Sequence, residues 1–332
     1  MDLSRQSSCR IDWVDWMKAI GMYLIILGHF YSVGEKFIYV FHVPLFFVIS
    51  GFLTKKEIDE RMFWRKQWYN LVIPMLLMAV TNFVYHSILQ LFNGAFSVDD
   101  CYWFVRNTLF GMVSGFDMLW FVYTLIILKI FYQYCPSTKL FHSLIPVMLV
   151  LAYIYHSVGH LTTLFILNEP NSFINICTAY PFFALGLVGR DYKNMLIGLN
   201  NKIKLISFVA CGLLLIALCG KYNGYVGMYC ADYGGNIFLF LLGAVAGTIM
   251  IWAISKLLGN APKAIVVISR GTFVILGFHK MLIDFVRAYL SPSFLDIAFA
   301  MLIILLFIPI ILTIEKYLPL MAGKYRVKWN NS

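Results

Sequence analysis

Lys18 and His29 fall in one apolar stretch of the chain, eleven residues apart. On a helix that separation is about three turns, so both side chains share one face, about 16 Å from each other. Asp15, Met22 and Ile25 lie on the same face. A cation and an imidazole inside a membrane span are costly to keep, so they mark a functional site by default. An imidazole, with an ordinary pKa of about 6.5, can take a proton from a hydroxyl as that hydroxyl attacks a carbonyl carbon. Blander readings stand beside this one. His29 could meet headgroups at a helix end. Lys18 could pair with Asp15 three residues earlier, or snorkel to the interface.

Other polar residues divide in the same way. His42 opens the run Phe41-His-Val-Pro-Leu-Phe-Phe-Val-Ile-Ser-Gly-Phe52, where it could touch a substrate or bond to a neighbouring helix. Pro44 is expected to kink that helix, and Ser50-Gly51 to permit close helix approach. The stretch Lys55–Lys66 carries Arg61 and Arg65 one turn apart, and with Lys66 they could cradle phosphates. The positive-inside rule explains the same charges without a ligand. Asn82 and His86 share a face that suits interhelical hydrogen bonding. Trp120 and Tyr123 could line a substrate site, although an interfacial aromatic belt accounts for them on residue chemistry alone. His279 is a second imidazole inside an apolar segment, and Lys280 with Asp284 at i+4 reads as helix-end stabilisation.

The elements that must position these groups are membrane helices. Of 332 residues, 61% are hydrophobic and 13% charged, with mean hydropathy +0.79; a soluble domain carries roughly a quarter charged residues. The expected fold is all-α: one polytopic integral membrane domain over residues 1–332, with about ten transmembrane helices. They read at about 13–32, 37–54, 70–92, 117–135, 141–158, 173–189, 203–220, 236–258, 264–290 and 294–318, with 99–113 a short surface helix. Alternate connections hold most of the basic residues, among them Arg5, Arg10, the Lys55–Lys66 cluster, Arg190, Lys193, Lys202, Lys204, Lys256, Lys263, Arg326 and Lys328. The opposite set holds Lys36, Arg106, Lys221 and Arg287. Both termini are therefore expected in the cytosol, and the net charge of +10 follows from that rule and not from nucleic-acid binding. The first apolar run is long, polar in places and without a small-x-small site, so it reads as a retained helix and not a signal peptide. Seven scattered cysteines with no CxxC argue against a metal site; Cys101 and Cys230 could bridge, but unpaired thiols are favoured. No HExxH, Walker, GxSxG or dinucleotide motif is present.

The segment Asp15–Leu53 resembles the signature of the membrane acyltransferase family of type 3, which O-acylates sugars. That signature reads roughly Asp-x-x-Lys/Arg, ten residues, His, then His/Met-x-Pro-x-Phe-Phe-x-x-Ser-Gly-Phe. Leu119-Trp-Phe-Val-Tyr-Thr-Leu125, Phe182–Arg190 and Ile268–His279 also look like family segments. The resemblance implies His29 as catalytic base, Lys18 as electrostatic support, and Asp15, His42, Trp120 and His279 near the substrates. It implies acyl-CoA, by default acetyl-CoA, as donor substrate with no permanently bound cofactor. A surface or lipid-linked carbohydrate would be the acceptor, and the protein would sit among the lipids of the cell inner (plasma) membrane as a multi-pass protein. Three departures stand out. Lys18 replaces the arginine of many members and loses its bidentate contact. Gln67 and Asn70 stand before Pro74 where members keep arginines, and the usual tyrosine ahead of His279 is missing. Rival readings are a secondary transporter or flippase for a lipid-linked sugar, against which no internal repeat is found, and a non-catalytic assembly protein.

Overall fold

A computed structural model describes residues 10–31, 34–109, 111–112, 119–158, 174–289 and 293–324. Arg5, Cys9, Arg326 and Lys328 lie outside them. Among the described residues the fold is helical, with one isolated bridge between Gly227 and Asp232.

Helix α1 (Asp12–Gly28) is the centre of the bundle. It packs against α2 (Glu35–Ile38), α3 (His42–Leu53), α13 (Ile237–Leu258), α14 (Lys263–Arg270), α15 (Thr272–Tyr289) and α16 (Asp296–Tyr317). Met22 and Ile26 of α1 are fully enclosed. Before α13 come α4 (Glu60–Gln67), a five-residue π turn (Trp68–Val72) and α5 (Ile73–Phe92), then α6 (Val98–Leu109) and α7 (Trp120–Tyr134). The remaining helices are α8 (Thr138–Ser143), α9 (Ile145–Val158), α10 (Ile174–Asp191), α11 (Lys193–Gly198) and α12 (Lys202–Tyr222). Side-chain caps start several of them. Asn236 accepts from the amides of Phe238 and Leu239 at 2.8 and 3.3 Å, and Asp59, Ser137 and Asn201 do the same for α4, α8 and α12.

Each of the ten expected segments coincides with helix, but fewer meet the demands of a free-standing span. Among the described residues six stretches are long and apolar enough to cross a membrane, and a seventh arises if α14 and α15, bent 83° at Gly271, count as one. The three that fall short share a cause. α1 has 17 residues and carries Asp12, Asp15 and Lys18; α7 has 15; α10 has 18, with Pro181 inside and Arg190-Asp191 at its end. Fifteen residues span only about 22 Å of a roughly 30 Å hydrocarbon layer. These helices bury much of their surface against other helices, so composition is not set by lipid contact alone. The stretch expected as a short surface helix is α6, with Asp99, Trp103 and Val105 exposed.

Two local expectations change. Pro44 falls in the first turn of α3, just past an interruption of the helix at residues 39–41, so its missing N–H has no partner to lose. Trp120 is not in an exposed belt, being only 5% exposed in the bundle. Others hold. Gly51 meets Gly186 of α10, with their Cα atoms close enough to touch, and Cys101 and Cys230 are free thiols. Asn82 of α5 donates to the Gly277 carbonyl of α15 at 3.1 Å. Asn82→Leu should therefore cost about 1 kcal/mol, read as a lower Tm in detergent; an unchanged Tm would mean that this bond does not help hold α5 on α15.

Candidate active site

The site begins where α1 stops. His29 is the C-cap residue, with φ −76° and ψ −2°, one position beyond the last α-helical residue. Its Nδ1 lies 2.7 Å from the Ile25 carbonyl, which also accepts the His29 backbone N–H at 3.1 Å. A carbonyl oxygen only accepts, so Nδ1 carries the proton and the basic lone pair sits on Nε2. The chain just beyond is pinned from α15: Arg287 donates to the Phe30 carbonyl and, at 3.0 Å, to the buried Asp296 carboxylate. Tyr31 then takes φ +51°, a left-handed conformation rare for a bulky side chain.

Two more histidines repeat the tautomer. His42 Nδ1 donates to the Ile38 carbonyl at 2.9 Å, and His279 Nδ1 to the Ile275 carbonyl at 2.9 Å. His279 stands edge-on to His29, ring centres 4.8 Å apart, and its Nε2 is buried with no hydrogen-bond partner among the described residues. Tyr39 bridges the group, 4.7 Å from the His42 ring and 6.1 Å from that of His29. The three imidazoles come from α1, α3 and α15, three helices that meet at this end of the bundle.

His29, His42, Tyr31, Tyr39, Trp120 and Lys280 face a cavity of about 290 Å³, closed elsewhere by apolar side chains such as Met22, Phe46 and Leu276. Lys280 therefore lines the cavity and is more than a helix-end charge. Met228 and Tyr229 reach the cavity from a loop held by one amide: Asn223 donates to the Tyr233 carbonyl at 2.8 Å and accepts from the Asn236 amide at 2.6 Å. A hydroxyl that enters beside His29 meets a lone-pair acceptor on Nε2, phenolic rings suited to a polar, ring-shaped molecule, and one ammonium.

The remaining sequence candidates lie elsewhere. Asp15 accepts from Arg10 Nε at 2.6 Å and from the Ser269 hydroxyl at 2.5 Å, so it ties α1 to α14 and does not line the cavity. Lys18 makes no salt bridge with it; its Coulombic neighbours are Asp15, Lys324 and Lys129. Lys324, beyond the last span, donates to Glu315, and burial lowers its pKa from the ordinary 10.5 despite that pair. Arg61 and Arg65 are exposed on α4, whereas Lys66 borders a second, separate cavity. Sequence reasoning missed Tyr31, Tyr39 and Lys129. Tyr39 was detectable as the i−3 neighbour of His42, and Lys129 as a cation inside an apolar run.

No curated protein and no solved structure matches the chain. A family model described as "Acyltransferase domain" matches residues 11–315, which take in α1, all three histidines and both cavities. The chain belongs to this acyltransferase family, type 3 of the membrane acyltransferases.

Proposed function

We propose that the protein transfers an acyl group, by default acetyl, from cytosolic acyl-CoA to a carbohydrate hydroxyl, with His29 as general base. The observation that carries this reading is the His29 tautomer: Nδ1–H is committed to Ile25 O, so Nε2 is the proton acceptor at the wall of a cavity that also holds tyrosines. The acceptor hydroxyl attacks the thioester carbonyl carbon as Nε2 removes its proton. The tetrahedral adduct then collapses and expels the CoA thiolate, which regains that proton from the imidazolium. His279, in ring contact with His29, supports the charged imidazole, and Tyr31, Tyr39 and Trp120 offer faces for a sugar ring. Lys18, at the other end of α1, contributes positive charge on the donor side.

Ten segments cross or enter the membrane in this reading, both termini face the cytosol, and the membrane is the plasma membrane. The basic-residue bias supports that orientation. The acceptor is a surface or lipid-linked polysaccharide. Purified protein in nanodiscs with radiolabelled acetyl-CoA and candidate glycans should produce labelled glycan. A second reading, secondary transport of a lipid-linked sugar, draws on the 83° break between α14 and α15, since interrupted helices recur in transporters. Glycan movement without label would replace the first reading by this one.

A further inference from the structure

The second cavity, about 190 Å³, lies between the α3–α4 linker, the π turn and α7, and it shares no lining residue with the first. Lys55, Lys66 and Lys129 line it against one carboxylate, Glu57, which Lys66 already holds at 2.6 Å. Lys129 is the expensive member. It sits within the apolar run Leu125-Ile-Ile-Leu-Lys-Ile-Phe131 of α7, and no carboxylate lies within salt-bridge distance of it among the described residues. Lys18 of α1 is the other cation whose charge acts on it. Like charges in low dielectric repel strongly, and an intramembrane cation without a partner is a cost that a bound anion removes.

The rest of the wall is built for a polar guest. Gln67 is buried there and its side-chain oxygen has no hydrogen-bond partner. The π turn brings Asn70 to the same wall, and π insertions recur at functional sites. Gln133 fastens the linker to α7 by two bonds with the Glu57 backbone, at 3.0 and 2.8 Å, which fixes the wall in advance. Arg61 and Arg65 are not on it.

We propose that this cavity binds a phosphate or pyrophosphate group, with Lys129 as the positioning residue and Lys55 and Lys66 completing the cationic wall. Assigning that phosphate to the acyl donor rests on the function proposed above. The binding chemistry itself does not, because the headgroup of an anionic lipid carries the same group.

The full chain in neutral phosphatidylcholine nanodiscs is titrated with adenosine 3′,5′-bisphosphate and with pyrophosphate. Lys129→Met should weaken both by about tenfold or more, the loss of one charge-assisted contact, while Lys129→Arg retains binding and Lys139→Met, on the exposed α8, changes nothing. Lys129→Met should also leave Tm unchanged or higher, because it removes a repelled cation; a purely structural lysine would lower it. Wild-type-like binding by Lys129→Met overturns the proposal, as does a wild type that binds no phosphate probe from either source. If only discs containing phosphatidylglycerol show binding, and Lys129→Met abolishes it, the phosphate site stands and its source is lipid. His29→Ala should bind the bisphosphate normally, so failure of the base mechanism and failure of this site are read separately.

Discussion

His29→Ala should lower acyl transfer by about 10²–10⁴-fold, the range for loss of a positioned general base, with Tm close to that of the wild type. The structural cost is small because His29 caps α1 from outside, and the backbone bond from its amide to Ile25 O survives the substitution. His29→Gln is the sharper variant. It keeps a polar side chain of similar reach but has no basic lone pair, so it should be as inactive as alanine. His279→Ala should cost less, since that ring supports His29 and does not itself line the cavity. The pH profile follows in sign. A base must be neutral to accept a proton, so kcat/KM should fall on the acid side as the imidazole protonates, and the limb should vanish in the residual activity of His29→Gln. Transfer at the wild-type level in both variants would remove His29 from the mechanism.

The sequence put Met22, Ile25 and His29 on one helix face because helical periodicity is a local fact, and all three line the first cavity. It could not place Asp15. The charge spacing offered Lys18 as its partner, whereas the carboxylate bonds Arg10 and the Ser269 hydroxyl, 254 positions away in sequence. The meeting of His29, His42 and His279 is likewise a consequence of packing among α1, α3 and α15. Family resemblance brought the last two near a substrate without giving the 4.8 Å ring contact. Hydropathy found the segments; α1, α7 and α10 fall outside the length and composition expected of a span, and each buries side chains against neighbouring helices. The basic cluster after α3 divides, with Lys66 at the second cavity and Arg61 and Arg65 outside its wall. Arg61 and Arg65 stand out by number, while Lys129, a cation inside an apolar helix, meets the same criterion as Lys18.

Gly51→Ala should be the most disruptive single-methyl change in the bundle. A Cβ at Gly51 would lie 2.0 Å from the Phe183 carbonyl oxygen, and one at Gly186 would lie 2.1 Å from the Val48 carbonyl oxygen. Both obstacles are backbone atoms, so no rotamer relieves them and α3 must move off α10 by about 1 Å or more to regain van der Waals distance. In a membrane, close packing of this kind replaces the hydrophobic drive that joins helices in water. Overpacking of a tight interior costs about 1–3 kcal/mol even where side chains can yield, and here they cannot. The displaced helix carries His42 at its start, and at its end Arg190 donates to the Thr54 carbonyl and to the Tyr132 hydroxyl. Both cavities should feel the shift, so Gly51→Ala and Gly186→Ala should lose Tm and activity together. Gly198→Ala, in α11 with nothing within 4 Å of its added methyl, supplies the control and should leave both measurements where they are. A Gly51→Ala protein with wild-type Tm would mean that α3 and α10 are held by something other than this backbone contact. The support for α3 would then have to be sought along α1 and α13, which also pack on it.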